Sequence, residues 1–238
     1  LAHLVRAEVE WSPILLQPLE VTGVEAGAAA ARMRPDELAV DGQGTLIADI
    51  DSGVDVLHPH FFFADGGYYD WLDVDENGRF DLDVDAVDLD RDGKVDLNET
   101  LRLLDSTFFD RRDTTEFEND DGLLQPRRDW LYADQNDDGE RNVGREAGFT
   151  EEDDAYGEAI FVVDDLDRDG ELEPDEKLVR LGTSKIRKVV VADRIYRRGE
   201  NLIELRSDER FSESMHGTGV MCIALGVQAQ FHDRVGLA

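Results

Sequence analysis

Two short motifs, far apart in the chain, carry side chains that can move a proton. Asp51 sits in Ile50-Asp51-Ser52-Gly53-Val54-Asp55, just after the apolar run Leu46-Ile47-Ala48, and His216 opens His216-Gly217-Thr218-Gly219-Val220. A fixed carboxylate that accepts the proton of one imidazole nitrogen sets the tautomer of the ring. The other nitrogen is then a base toward a hydroxyl nucleophile. Either motif alone is weak, since Asp-Ser-Gly is common turn chemistry and a histidine before glycine is ordinary polar punctuation. Between them lie acidic segments of a different kind, in which acids alternate with other residues and end on glycine. Such spacing suits a hard cation, which is wrapped by oxygens from alternate residues while the glycine permits a sharp turn.

Two of these segments are complete. Asp88, Asp90 and Asp92 are followed by Gly93, Lys94, Asp96 and Glu99, and Asp165, Asp167 and Asp169 by Gly170, Glu171, Glu173 and Glu176. Both match the EF-hand calcium loop: carboxylates at positions 1, 3 and 5, glycine at 6, a backbone carbonyl at 7, a further ligand at 9 and a closing Glu at 12. Two full matches make accident an unsatisfactory account even in an acidic chain. Two more segments are partial. Asp73, Asp75, Asn77, Gly78 and Asp81 are in place, with Val84 at the closing position. Asp134, Asn136, Asp138, Gly139 and Asn142 are in place, with Arg145 there. The bland reading of these two is a solvated acidic turn. The implied cofactor is Ca2+.

The flanking elements are not those of helix-loop-helix pairs. Ala159 to Val163 reads as a strand from its β-branched and aromatic content, Lys177 to Leu181 alternates with period two, and Lys188 to Ile195 reads as another strand. This pattern predicts calcium loops at hairpin tips, with one short helix over Leu97 to Leu104. Thr45 to Ala48, after the breaker Gly42-Gln43-Gly44, reads as a buried parallel-type strand ending near Asp51. Val220 to Leu225 reads as a helix apolar nearly all round, and therefore buried.

The Asp51 motif, the segment His58-Pro59-His60-Phe61 and the His216 motif together resemble the aspartate and histidine signatures of the subtilase (subtilisin-like) serine proteases, in that family's chain order. Val235-Gly236-Leu237-Ala238 is similar to the strand that follows the histidine helix. The likeness covers roughly residues 20–61 and 211–238. Gly219 stands where the family most often has a second His, and Met221 and Cys222 where it has small residues. The resemblance implies an α/β fold: an incomplete subtilisin-like parallel-sheet core (1–61 and 211–238) interrupted by an acidic, β-rich calcium-loop insert (62–210). It also implies catalytic roles for Asp51 and His216, with the serine expected beyond Ala238. Gly182-Thr183-Ser184 mimics the family's nucleophile motif but precedes the histidine, and reads as a strand-associated turn.

Composition limits the partners. The 238 residues carry a formal net charge of -31, from 56 acidic and 25 basic side chains. That excludes nucleic acid as a default partner, because a phosphate backbone demands a cationic surface, and it disfavours anionic membranes. No apolar run approaches the length of a membrane helix. Only Lys94, Lys177, Lys185 and Lys188 are lysines, so an acid-rich, lysine-poor surface suited to high salt is a rival account of the charge. Metal loops account better for its clustering. Cys222 is the single cysteine, which excludes an internal disulfide. Two functions are consistent with these features. One is part of an extracellular or cell-envelope, calcium-dependent endopeptidase acting on protein or peptide substrates. The other is a non-catalytic calcium-binding or adhesion module on a degenerate protease scaffold. Oligomeric state is open.

Overall fold

The computed structural model describes residues 46–96, 98–104, 122–126, 129–207 and 215–225. The chain divides into units 1–41 and 42–238, and every described residue belongs to the second. Thr45, Leu97, the 42–44 breaker and the 235–238 segment lie outside the described residues.

The described part is sheet-dominated, and its ladders are antiparallel. A five-stranded sheet has the order β1 (Tyr68–Tyr69), β7 (Lys177–Arg180), β6 (Ile160–Asp164), β5 (Trp130–Ala133), β4 (Leu101–Leu104). Two small ribbons accompany it: β2 (Trp71–Leu72) with β3 (Ala86–Val87), and β8 (Lys188–Val191) with β9 (Arg194–Arg197). One α-helix, α1 (Met215–Leu225), is present among the described residues. No described helix is long and apolar enough to cross a membrane.

The central sheet is covered on both faces, and β6 explains how. Ile160-Phe161-Val162-Val163 is apolar at every position, so the period-two alternation of a strand sends side chains both ways. Ile160 and Val162 join Trp130, Val179, Phe61, Phe62 and Leu202 in one cluster, against which Met221 and Cys222 of α1 pack. Phe161 and Val163 join Leu131, Leu178, Leu101, Trp71 and Leu172 in a second cluster. The first cluster therefore backs the segments that carry Asp51 and His216, and the second backs the acid loops. Residues 61–63 are fastened to 183–185 by backbone hydrogen bonds, Phe63 N–H to the Thr183 carbonyl at 2.9 Å and Lys185 N–H to that of Phe61 at 2.6 Å, with an isolated bridge between Phe62 and Ser184.

Four sequence expectations are corrected. Where a short helix is expected over 97–104, residues 101–104 form strand β4, because Leu101 to Leu104 pair in register with Ala133 to Trp130 and bury Leu101 completely; tertiary pairing overrides local helical preference here. Leu46 to Ala48 form no strand. Leu46 is 72% exposed, and no described strand pairs with this run to shield its backbone and apolar side chains. The strand expected over 188–195 is a hairpin, turning at Ala192 and Asp193, with Ala192 in the left-handed region at φ 52°. Helix α1 is not buried all round: Gly217, Thr218 and Gly219 are buried, while Val220 and Ile223 stand open. The strands over 159–163 and 177–181, and the helix beginning at the His216 motif, are present as expected.

Candidate functional site

Asp51 lies at a bend outside any strand, and His216 is in the first turn of α1. The two meet: His216 Nδ1 is 2.8 Å from Asp51 Oδ1 and 2.9 Å from Oδ2, across 165 residues of sequence. A carboxylate only accepts, so Nδ1 carries a proton, and in the neutral ring Nε2 is the nitrogen with the lone pair. Asp51 Oδ1 also accepts the Ser52 backbone N–H at 2.6 Å and the Ser52 hydroxyl at 2.9 Å. The Ser52 amide first, and the His216 ring next, hold the Asp51 carboxyl below its ordinary 3.8. Asp51 stands at the surface with its side chain covered to 16% exposure by its partners, and the His216 side chain, 76% exposed, is open to solvent.

The small residues after His216 make this contact possible. A Cβ on Gly217 would overlap the Gly53 carbonyl oxygen outright and stand 3.1 and 3.2 Å from Cβ and Cγ of Asp51. Thr218, 1% exposed, accepts the Asp55 N–H on its hydroxyl at 2.8 Å and fastens the Asp51 segment to the helix. A cleft of about 1170 Å³ runs alongside, walled by residues 46–54, by 185–192, and by Met221 and Leu225. Ser184 is turned to structural use, 3% exposed, with its hydroxyl accepting the Ile186 N–H at 3.2 Å and its carbonyl held by Arg198.

The acid loops share one design. Each first aspartate immediately follows a strand: Asp73 after β2, Asp88 after β3, Asp134 after β5, Asp165 after β6. Fourth-position residues Glu76, Arg91, Asp137 and Arg168 all have φ between 56° and 68°, and the glycines two residues later are left-handed as well. The N–H of Gly78, Gly93 and Gly139 is capped by the first aspartate at 2.7, 3.2 and 2.9 Å. The N–H of Arg79, Lys94, Glu140 and Glu171 goes to the fifth side chain, at 2.7, 2.8, 2.8 and 2.8 Å. In the complete loops the closing glutamate clamps positions 2 and 9. Glu99 accepts from Leu89 and Asp96 at 2.9 and 3.0 Å, and Glu176 from Leu166 and Glu173 at 2.6 and 3.1 Å.

The partial loops have the same clamp, made by residues the motif does not count. Asp85 accepts from Val74 and Asp81 at 2.8 and 2.7 Å, replacing exposed Val84 from one position further on. Glu158 accepts from Gln135 and Asn142 at 2.8 and 2.7 Å, replacing Arg145, whose own side chain pairs with Glu204. Glu158 arrives because residues 143–157 fold back, with Val143 bridging Gly157 and the Glu158 N–H bonding the Asn142 carbonyl at 2.9 Å. Asp85, Glu99, Glu158 and Glu176 are each no more than 3% exposed. A match at the following position could have flagged Asp85; no local signal marks Glu158.

In three of these loops, those beginning at Asp73, Asp88 and Asp165, carboxylate oxygens come close enough together to hold a metal ion. Ligand atoms of Asp88, Asp90 and Glu99 lie within 4.8 Å of one another, as do those of Asp165, Asp167 and Glu176, and of Asp73, Asp75 and Asp85. Asp88 Oδ1 and Asp165 Oδ2 are buried with no hydrogen-bond donor among the described residues, a cost that a bound cation removes. Burial, and then neighbouring acids, raise the carboxyls of Asp85, Glu158 and Glu176 above their ordinary values. Burial would also raise Asp134, but the Gly139 amide and the Arg102 guanidinium outweigh it and hold that carboxyl low. In the partial loops Asn77 Nδ2 donates to Asp81 at 2.5 Å and Asn142 Nδ2 to Asp138 at 2.8 Å, so each asparagine presents its oxygen only after an amide rotation.

Comparison with models of known protein families, with curated proteins and with solved structures finds no match to this chain.

Proposed function

We propose that this chain carries the aspartate and histidine of a subtilisin-like serine endopeptidase, stabilised by calcium held in its acid loops. The observation that carries the reading is the 2.8 Å contact between His216 Nδ1 and Asp51 across 165 residues, with small Gly217 and pinned Thr218 between the segments. In the proposed reaction Asp51 holds the imidazole with Nε2 outward. Nε2 takes the proton of a serine from further along the protein as that serine attacks the scissile carbonyl, then gives it to the leaving amine. Asp51 remains ionised and stabilises the imidazolium, a role suited to its lowered carboxyl.

Calcium in this reading supplies charge balance to buried carboxylates and crosslinks the loops. Asp88, Asp90, Asp92, Asp96 and Glu99 would hold one ion, and Asp165, Asp167, Asp169, Glu173 and Glu176 another. The Lys94 and Glu171 carbonyls would serve at position 7. Lys94 Nζ pairs with Asp92 Oδ2 at 2.6 Å, a contact that an ion held by Asp92 would replace. Asp73, Asp75, Asn77 and Asp81 with Asp85, and Asp134, Asn136, Asp138 and Asn142 with Glu158, form the two variant loops. An extracellular or cell-envelope location suits this chemistry, because calcium there is abundant enough to fill weak sites. The test is peptide hydrolysis by the full gene product. Asp51→Asn should lower kcat by about 10⁴-fold with the protein still folded, since the wrong tautomer leaves the geometry intact. Unchanged hydrolysis would refute the catalytic reading and leave a calcium-binding module.

A further inference from the structure

One cluster differs in chemistry from every acid loop. His58 precedes the 3-10 turn Pro59–Phe61, His60 lies within it, and Cys222 comes from α1, six residues after His216. One ligand atom of each lies within 4.8 Å of the other two. Cys222 Sγ is 3.7 Å from His58 Nδ1, which also accepts the His60 backbone N–H at 3.3 Å, a bond that ligation through Nδ1 would replace. A tetrahedral zinc-class ion, with metal–nitrogen bonds of about 2.0 Å and metal–sulfur bonds of about 2.3 Å, needs N···S separations of about 3.6 Å and N···N separations of about 3.4 Å. The His58–Cys222 edge is therefore already at ligation spacing. Closing the third ligand takes a movement of roughly 1.4 Å at most, within reach of a side-chain rotation.

The surroundings suit such a site. The two imidazole centroids lie 5.1 Å apart, and Trp130 packs nearly perpendicular to both with centroid distances of 5.8 and 4.9 Å, giving an apolar wall. Proline between the histidines fixes the turn that presents both on one side. Thiolate with imidazole is a poor shell for calcium or magnesium and a good one for borderline-soft ions. We propose that His58, His60 and Cys222 bind a zinc-class ion, tying the Pro59 turn to the helix that carries His216. Three protein ligands leave the fourth position to water or an incoming ligand.

The thiolate is the form of cysteine that binds metal, so ion binding releases the Cys222 proton. Lys185, its amine donating to the His60 carbonyl at 2.8 Å, neighbours the thiol and would offset part of the thiolate's charge. The proposal stands independently of the catalytic and calcium readings.

The experiment uses the 238-residue chain saturated with calcium, to which zinc or, as a spectroscopic probe, cobalt(II) is added. Expected are about one tightly held zinc, a cobalt–thiolate charge-transfer band, and at least a tenfold slowing of Cys222 modification by a thiol reagent. His60→Gln and Cys222→Ser should each abolish the band and the tight zinc, with bound calcium unchanged. If Cys222→Ser fails to fold, the cobalt spectrum of the unsubstituted protein decides. No thiolate band and no protection of the thiol, or zinc held equally well by both variants, would overturn the proposal and leave the thiol as a hydrogen-bond donor to His58.

Discussion

Replacing Glu158 with glutamine removes one charge from a site that no sequence pattern assigns to the loop beginning at Asp134. Glu158 is 1% exposed and accepts two loop amides, from Gln135 and Asn142 at 2.8 and 2.7 Å. Glutamine keeps one acceptor and turns an NH2 toward the other amide, leaving a buried donor unmet at about 1–3 kcal/mol. That cost is independent of calcium, and in chelator it is partly offset by relief of repulsion from Asp134 and Asp138. The loss of the metal is separate. An ion at a hundred times its dissociation constant stabilises the folded state by about 2.7 kcal/mol, which in a domain of this size raises Tm by about 5–11 °C. The assay is a thermal melt of both proteins in saturating calcium and in chelator. The calcium-induced rise in Tm should be smaller in Glu158→Gln by about 5–11 °C, and the variant should bind one ion fewer. An identical rise in both proteins would refute the reasoning and reduce Glu158 to a cap on two amides.

The other predictions test neighbouring links. Arg145→Glu, which completes the loop pattern on paper, should add no calcium affinity, because side chain 145 faces Glu204 and not the loop; a calorimetric titration checks it. Gly217→Ala should cost about 1–3 kcal/mol and separate His216 from Asp51, seen as loss of the downfield Nδ1–H proton resonance; retention of that resonance would contradict the close packing. In chelator, stability should rise as pH falls from 7 toward the carboxylate range. The folded state binds protons at Asp85, Glu158 and Glu176 before the unfolded chain does, so their contribution is present at low pH and lost as pH climbs through the raised values. Below the ordinary 3.8 of aspartate the trend should reverse, as Asp51 and Asp138 gain the protons that their hydrogen bonds oppose. Saturating calcium should abolish the first trend, and chelator and calcium melts compared across pH decide it.

The chain's local chemistry is legible without coordinates because it is made of short-range contacts. In the loops beginning at Asp88 and Asp165, most of the hydrogen bonds that shape the turn run between residues five or fewer apart, so spacing alone specifies them. The apolar run at 159–163 announces a strand for the same reason. Failures fall where a distant partner is needed. Leu101 to Leu104 become a strand only because Trp130 to Ala133 lie beside them, and Leu46 to Ala48 stay open because no described strand does.

Residue types and spacing by themselves determine that two complete loops can wrap a hard cation, that His216 begins a helix, and that small residues follow it. Tertiary structure decides which carboxylates close the other two loops, that Asp51 and His216 touch, and that Cys222 faces His58. Each of these rests on side chains brought together by sheet register and helix packing. Long-range contacts of that kind are fixed by burial of the two apolar clusters, and neither cluster is visible in any one stretch of sequence.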